Sequence, residues 1–145
     1  MFRKLTQTNP DLTLTVLRVV LGVVMFAHGA QKMLGWFGGY GFTGTMGFFT
    51  GTMGIPAPFA FLAIVAEFFG GLGLILGLFS RVASLGIIVT MLTAAFMVHV
   101  PTFFMNWNGT QKGEGFEYHL IAVAIGVAIL IKGSGAFSLD RAIAK

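Results

Sequence analysis

The sequence predicts an all-α integral membrane protein in which four helices form an up-down bundle. Hydrophobic residues make up 56% of the 145 residues and charged residues only 10%, and the mean hydropathy is +0.87. Since soluble domains carry about 25% charged residues, most of this surface cannot face water. The net charge of +4 is small, and its bases lie near predicted helix ends, so it indicates membrane topology and not nucleic-acid binding. The chain has no cysteine, which excludes disulfides, thiol redox chemistry and thiolate metal sites.

Four apolar segments predict the membrane spans, because a bilayer core needs about 20 helical residues. We expect Asn9 to cap the first helix, with Pro10 at its first position. Ser80 and Arg81 form almost the whole second connection, so the helices on either side must form an antiparallel hairpin. Pro101 is expected to kink the third helix. The predicted single domain covers residues 1–145, with helices over 12–34, 58–79, 82–105 and 116–131 and an interfacial helix over 138–145.

The connection over residues 35–56 is unusual for a loop. It contains eight glycines, four phenylalanines and no charged residue. It is too rich in glycine for a stable spanning helix and too apolar for a free loop. We expect a short interfacial or re-entrant segment at the mouth of the bundle, where irregular backbone packs against protein or lines a cavity.

The distribution of bases predicts that both ends of the chain are cytoplasmic. Only Lys112 then falls in an outer loop, with Lys32 near the outer end of the first helix, in agreement with the positive-inside rule. Arg18 interrupts the first apolar run, so we interpret this run as a retained helix and not a signal peptide. For Arg18 itself we favour snorkelling or the capping of a carbonyl. The bases assigned to the cytoplasmic side are Arg3, Lys4, Arg81, Lys132, Arg141 and Lys145. All tryptophans and tyrosines of the chain then mark the outer interface, and these are Trp36, Tyr40, Trp107 and Tyr118.

Polar side chains from all four helices are expected to form one layer in the outer half of the bundle. His28, Gln31 and Lys32 are three and four residues apart and therefore share one helix face. Polar groups at this depth are costly unless they have partners or face a cavity. The carboxylate of Glu67 therefore needs a base, for which Lys32, His28 and His99 are candidates. The candidate ligand-binding residues are His28, Gln31, Lys32, Trp36, Glu67, His99, Glu117 and His119.

Several chemistries can be compared with this set. A catalytic zinc site needs about three protein ligands, and no local zinc motif is present, so we expect no metal. Haem ligation by His28 and His99 is disfavoured, because the two histidines follow no haem-binding pattern. A quinone headgroup needs donors to its carbonyl oxygens, a group for proton exchange and aromatic walls, and these residues supply all three. Glu117 also has a simpler interpretation as an acid that stabilises the first turn of its helix.

The chain also resembles the DoxX family of small bacterial and archaeal membrane proteins over residues 17–139. The matching motifs are L-R-V-V-L-G (17–22), H-G-A-Q-K-M-L-G-W-F-G-G (28–39), G-T (44–45), E-F-F-G-G (67–71), G-L-F-S-R (77–81), V-H (98–99), G-F-E-Y (115–118) and G-S-G-A-F-S-L-D (133–140). The resemblance implies four membrane helices, the plasma (inner) membrane, and a link to quinone-dependent oxidoreductases or oxidative stress. It carries over no catalytic residues.

Three functions remain open from the sequence. The first is a redox-associated protein that binds a quinone or a similar lipid-soluble ligand, as a membrane subunit of an oxidoreductase whose partner subunit supplies electrons. The second is a membrane scaffold or assembly factor, in which the polar layer only holds the helices together. The third is a small-solute carrier, which would require a homo-oligomer because four helices are few for a transport path.

Overall fold

The computed structural model describes residues 5–144, and these form helices and connections without strands. Arg3, Lys4 and Lys145, which the sequence assigned to the cytoplasmic side, lie outside the described residues. The helices are α1 (Leu12–Leu34), α2 (Gly41–Gly47), α3 (Ala57–Leu76), α4 (Ser80–Ala94), α5 (Glu117–Lys132) and α6 (Leu139–Ile143), with a 3₁₀ turn at Trp36–Gly38 and π turns at Phe48–Thr52 and Ala95–His99.

The four long helices pack in the order of the chain. Helix α1 packs on α3, α3 on α4, α4 on α5, and α5 returns to α1. Helices α1 and α3, and α4 together with its π turn, are long and apolar enough to cross a membrane. Helix α5 has 16 residues, about 24 Å at a rise of about 1.5 Å per residue, so it is shorter than α1, than α3, and than α4 taken together with its π turn. The predicted all-α membrane fold is confirmed.

Several helix ends differ from the prediction. The N-cap of α1 is Asp11 and not Asn9, because the Asp11 carboxylate accepts a hydrogen bond from the Thr13 backbone at 2.7 Å. Helix α3 ends at Leu76, where Gly77 takes the left-handed conformation that favours glycine. Ser80 therefore belongs to the first turn of α4, and the hairpin connection is residues 77–79.

The third membrane helix ends earlier than expected. The α4 helix and its π turn end at His99, whereas the sequence placed the end near Met105. Val100 is extended, as expected for a residue that precedes a proline. Pro101 therefore follows the helix and does not kink it. Residues 100–116 form a loop at this end of the bundle.

Glycines allow α1 and α3 to approach closely. A Cβ atom on Gly29 would lie 2.4 Å from the backbone of Phe68, and one on Gly71 would lie 2.4 Å from the backbone of Phe26. Close backbone approach is the usual basis of helix packing in membranes, because lipid supplies no hydrophobic force between helices. The contact fixes the position of α1 along the axis of α3. It therefore also fixes the relative depth of the polar groups on the two helices.

The segment between α1 and α3 forms short helices, as expected. Gly35 is left-handed with φ of 75° and reverses the chain after α1. Gly39 then lies so close to α1 that its Cβ would be 2.2 Å from the Gln31 carbonyl oxygen. Helix α2 and the following π turn pack against α1 and α3. The segment therefore covers the sides of these two helices at one end of the bundle.

That end is called the aromatic end here, because Trp36, Tyr40, Trp107 and Tyr118 all lie next to it, and the opposite end is called the basic end. At the basic end Arg18 is 1% exposed and donates hydrogen bonds to the carbonyls of Leu74, Ile75, Ser134 and Phe137. The carbonyl-capping interpretation of Arg18 is thus confirmed. Arg81 similarly donates to the carbonyls of Leu130 and Ile131 at the end of α5. Each arginine supplies donors to carbonyls that the neighbouring helix cannot satisfy itself.

Helix α6 is held to the basic end by its acid. Ser138 caps the helix as predicted. Asp140 is completely buried and accepts hydrogen bonds from the backbone N–H groups of Phe79 and Ser80 at 2.7 and 3.0 Å, and from the Ser134 hydroxyl. A carboxylate on two N–H groups at a helix start is a favourable N-terminal cap. Asp140 therefore joins α6 to the start of α4.

Candidate ligand-binding site

An ion pair joins α1 and α3 near the aromatic end. The Nζ atom of Lys32 lies 2.5 Å from Oε2 of Glu67, whose side chain is 4% exposed, while that of Lys32 is 24% exposed. Lys32 is thus the partner that the buried carboxylate needs. The pair is strong locally, because charges in a low-dielectric site interact more strongly than in water. The close contact of Gly29 with α3 places these two side chains at the same level along the axis of the bundle.

A row of rings from three helices continues this polar layer. The ring centroids of His28 and Tyr118 are 6.0 Å apart, those of Tyr118 and His119 are 5.5 Å apart, and those of His119 and His99 are 4.3 Å apart. The Nζ atom of Lys32 also lies 3.5 Å from the backbone carbonyl oxygen of His28, one turn earlier on α1. The layer therefore runs from α1 and α3 across α5 to the end of α4.

Two polar atoms in this row lack a partner. The Tyr118 hydroxyl and Nδ1 of His119 are buried, and neither has a hydrogen-bond partner among the described residues. A buried polar group without a hydrogen bond costs about 1–3 kcal/mol. Such a cost on two neighbouring residues is expected where a ligand or water supplies the missing partners. Either atom can contact an acceptor or donor on a bound molecule.

His99 is fixed by the loop that follows α4. Its Nδ1 lies 3.0 Å from the backbone carbonyl oxygen of Glu114. Since a carbonyl only accepts, Nδ1 carries the proton in this contact. Its Nε2 is then the atom left to accept a hydrogen bond. His99 thus meets His119 with a defined ring orientation.

Aromatic side chains pack beside the polar layer on α1 and α3. Trp36 packs edge-on against Phe26 at 6.4 Å, and Phe26 packs on Phe68 of α3 at 5.2 Å. Trp36 itself is 51% exposed. Gln31 follows His28 on α1 and is half-buried. Trp36, Phe26 and Phe68 thus form an aromatic cluster that joins the end of α1 to α3.

Glu117 belongs to a different local structure. Its carboxylate oxygen Oε1 accepts hydrogen bonds from the Met105 backbone at 2.9 Å and from the Trp107 indole at 3.3 Å. This carboxylate therefore holds the loop over residues 100–116 against the first turn of α5. These contacts bring His28, Lys32, Glu67, His99 and His119 together, with Gln31 and Trp36 beside them, and Glu117 instead fixes the loop.

Sequence reasoning did not assign Tyr118 to the site. It was interpreted only as a marker of the membrane interface, since tyrosine is common there. Its place directly before His119 gave no signal, because adjacent residues of a helix point in different directions. Among residues 5–144, no three histidine or acidic side chains are grouped so as to hold a metal ion.

Comparison with known proteins places this architecture in a family. Residues 13–100, more than half of the chain, match DoxX. The chain belongs to the DoxX family. A protein of Bacillus subtilis (strain 168), named "Putative oxidoreductase CatD", is 30% identical over 125 residues, which cover 86% of this chain and 82% of that protein. No solved structure matches the chain. Membership of the DoxX family, together with the apolar helices, identifies a multi-pass membrane protein in a lipid bilayer.

Proposed function

We propose that this DoxX protein is a membrane component of a redox system that binds a quinone or a similar lipid-soluble carbonyl compound at the aromatic end. The observation that carries the proposal is the pair of buried, unpartnered atoms, Tyr118 Oη and His119 Nδ1. A hydroxyl donor and a ring nitrogen are suited to a ligand oxygen that accepts a hydrogen bond in one state and donates one in another. The relative named as an oxidoreductase supports the same class of function.

The residues of this chain would bind the ligand and exchange protons with it. Tyr118 donates a hydrogen bond to a ligand oxygen, and His119 holds or releases a proton at Nδ1. Glu67 and Lys32 form the adjacent charged pair. This pair can supply a proton to replace one that the ligand has taken. The chain has no cysteine, so it has no thiol to supply electrons. In this proposal a partner subunit or a reduced substrate supplies them.

A matched pair of tyrosine variants tests the proposal. Decylubiquinone is added to the purified protein in detergent, and the melting temperature and quenching of tryptophan fluorescence are measured. Tyr118→Phe should weaken binding about fivefold to tenfold, the effect of one hydrogen bond, while Tyr40→Phe, at a residue 83% exposed, should not change it. Without ligand, Tyr118→Phe should be at least as stable as the parent, because it removes an unpaired hydroxyl. If the quinone shifts neither signal, or if both variants bind equally, the proposal fails.

A scaffold function is the second candidate, and the ion pair is the observation that favours it. Lys32 and Glu67 pair with each other at 2.5 Å. A purely structural role, in which the pair joins α1 to α3, is therefore sufficient to explain both residues. Glu67→Gln distinguishes the candidates. A protein that remains folded but no longer binds quinone supports the ligand-binding function, whereas a protein that no longer folds, together with no quinone binding by the parent, supports the scaffold.

We also infer that the protein lies in a bacterial or archaeal plasma membrane with both chain ends cytoplasmic. Arg81, Lys132 and Arg141 lie at the basic end and Lys112 in the loop at the other end, in line with the positive-inside rule. Because the chain has no native cysteine, single cysteines at Lys112 and Arg141 can be labelled in cells with a membrane-impermeant maleimide. Labelling of the first and not the second is expected; the reverse result would invert the topology.

A further inference from the structure

A polar cavity at the basic end lies outside the proposed quinone site. Its volume is about 270 Å³, and it is formed where the segment before α1 crosses the ends of α4 and α5. The wall contains two bases and no acid. Its lining residues are Gln7, Thr8, Asn9, Arg81, Ile131 and Lys132.

Among residues 5–144, neither of the two bases has an acidic partner. Arg81 donates hydrogen bonds only to backbone carbonyls, those of Gln7, Leu130 and Ile131. Within residues 5–144 the ion pair found is Lys32 with Glu67, at the opposite end of the bundle. The cavity therefore carries the charge of Arg81 and Lys132 without a carboxylate to neutralise it.

The negative end of the α5 helix does not cancel this charge fully. Its last carbonyls already have donors: Arg81 bonds to those of Leu130 and Ile131, and the backbone N–H of Asn9 bonds to that of Lys132 at 3.2 Å. Occupied carbonyls contribute less negative potential to the cavity. An anion can therefore approach the end of this helix.

Hydrogen-bond donors remain available around the cavity. Arg81 uses four N–H contacts of the five that a guanidinium offers. Gln7 and Asn9 are exposed, and within residues 5–144 neither side-chain amide forms a hydrogen bond. The cavity thus combines positive charge with free N–H donors, which is the chemistry that binds phosphate oxygens.

We propose that this cavity binds the phosphate of an anionic phospholipid headgroup. The lipid origin follows from Ile131, an apolar residue at the end of α5 that lines the cavity and is 63% exposed. A ligand that touches both Ile131 and Lys132 is amphipathic, with an apolar chain beside the helix and its phosphate at the bases. Basic pockets between helices at a membrane surface have this arrangement.

The test uses the whole purified protein in a neutral detergent. Phosphatidylglycerol, phosphatidylcholine and inorganic phosphate are added separately, and lipid-bound species are counted by native mass spectrometry while the melting temperature is followed. We expect phosphatidylglycerol to bind and stabilise, and phosphatidylcholine to do so much less. Lys132→Gln should weaken phosphatidylglycerol binding about fivefold, the contribution of one base near a membrane surface. Addition of Asn9→Ala to this variant should weaken binding further.

Arg141→Gln is the matched control, since it removes one exposed base at the same end but outside the cavity. It should retain phosphatidylglycerol binding. An equal loss in Arg141→Gln and Lys132→Gln would reduce the effect to general surface charge and overturn the site. Equal binding of the two lipids would overturn it as well. Stabilisation by inorganic phosphate alone would assign the cavity to a soluble anion and exclude the lipid as its source.

Discussion

Removal of Lys32 should destabilise the protein more than removal of Glu67, although the two residues form one ion pair. The Glu67 side chain is 4% exposed and that of Lys32 is 24% exposed. Lys32→Met leaves a carboxylate that cannot reach water, whereas Glu67→Leu leaves an ammonium group that can. Loss of one partner of a buried pair costs about 3–5 kcal/mol, so we expect a loss of this size for Lys32→Met. For Glu67→Leu we expect about 1–2 kcal/mol, near the value of a charged hydrogen bond.

The double variant makes the expectation stricter. Replacement of both members of a buried pair by apolar residues of similar volume is often neutral, so Lys32→Met/Glu67→Leu should be more stable than Lys32→Met alone. The free energy of unfolding is measured at pH 7 by titration with SDS in mixed micelles, with all four proteins in the same detergent. Lys112→Met, in the exposed loop over residues 100–116, serves as the control and should change stability by less than about 0.5 kcal/mol.

Two results would refute this reasoning. If the two single variants lose equal stability, the difference in exposure between Lys32 and Glu67 does not determine the cost. If the losses simply add in the double variant, the two side chains do not interact, since contacting residues are expected to show a coupling energy of about 0.5–3 kcal/mol.

Three further variants test the packing and the basic end. Gly29→Ala places a Cβ atom 2.4 Å from the Phe68 backbone and should cost about 1–3 kcal/mol, seen as early unfolding in the same titration. Asp140→Asn keeps the shape but weakens the cap on α4, and should cost about 2 kcal/mol, measured as a lower melting temperature; no change would contradict the cap. Arg18→Lys keeps the charge but loses the planar donor array, and should cost about 2 kcal/mol or more, measured as loss of monodisperse protein in size-exclusion chromatography, with Arg141→Lys as the control that remains unchanged.

The sequence was sufficient to predict most of the fold. Runs of apolar residues near 20 in length have few alternatives to membrane helices, and the short connection around Ser80 was enough to predict the antiparallel hairpin. The predicted end of the third helix, near Met105, was wrong because Phe103 and Phe104 continue the apolar run beyond His99. Hydropathy does not register that Val100 adopts an extended conformation before Pro101.

The candidate site was predictable where energetics restricted it and not where packing decided. A buried carboxylate requires a base, so Lys32 could be named as a partner of Glu67 from the sequence. The carboxylate of Glu117 instead binds the loop, since the Met105 amide and the Trp107 indole offer it donors. Which way a side chain in the first turn of a helix points depends on the fold of that loop, and this cannot be inferred from spacing. Tyr118 was missed for the same reason.

The carbonyl contacts of Arg18 bear on the order in which the protein can be assembled. During synthesis, the first helix carries a guanidinium group whose acceptors at Leu74 and Ile75 appear only after the second membrane helix, and whose acceptors at Ser134 and Phe137 appear later still. Until then this charge has to remain near a water-exposed boundary. The earliest helix is thus completed by some of the last residues to be made.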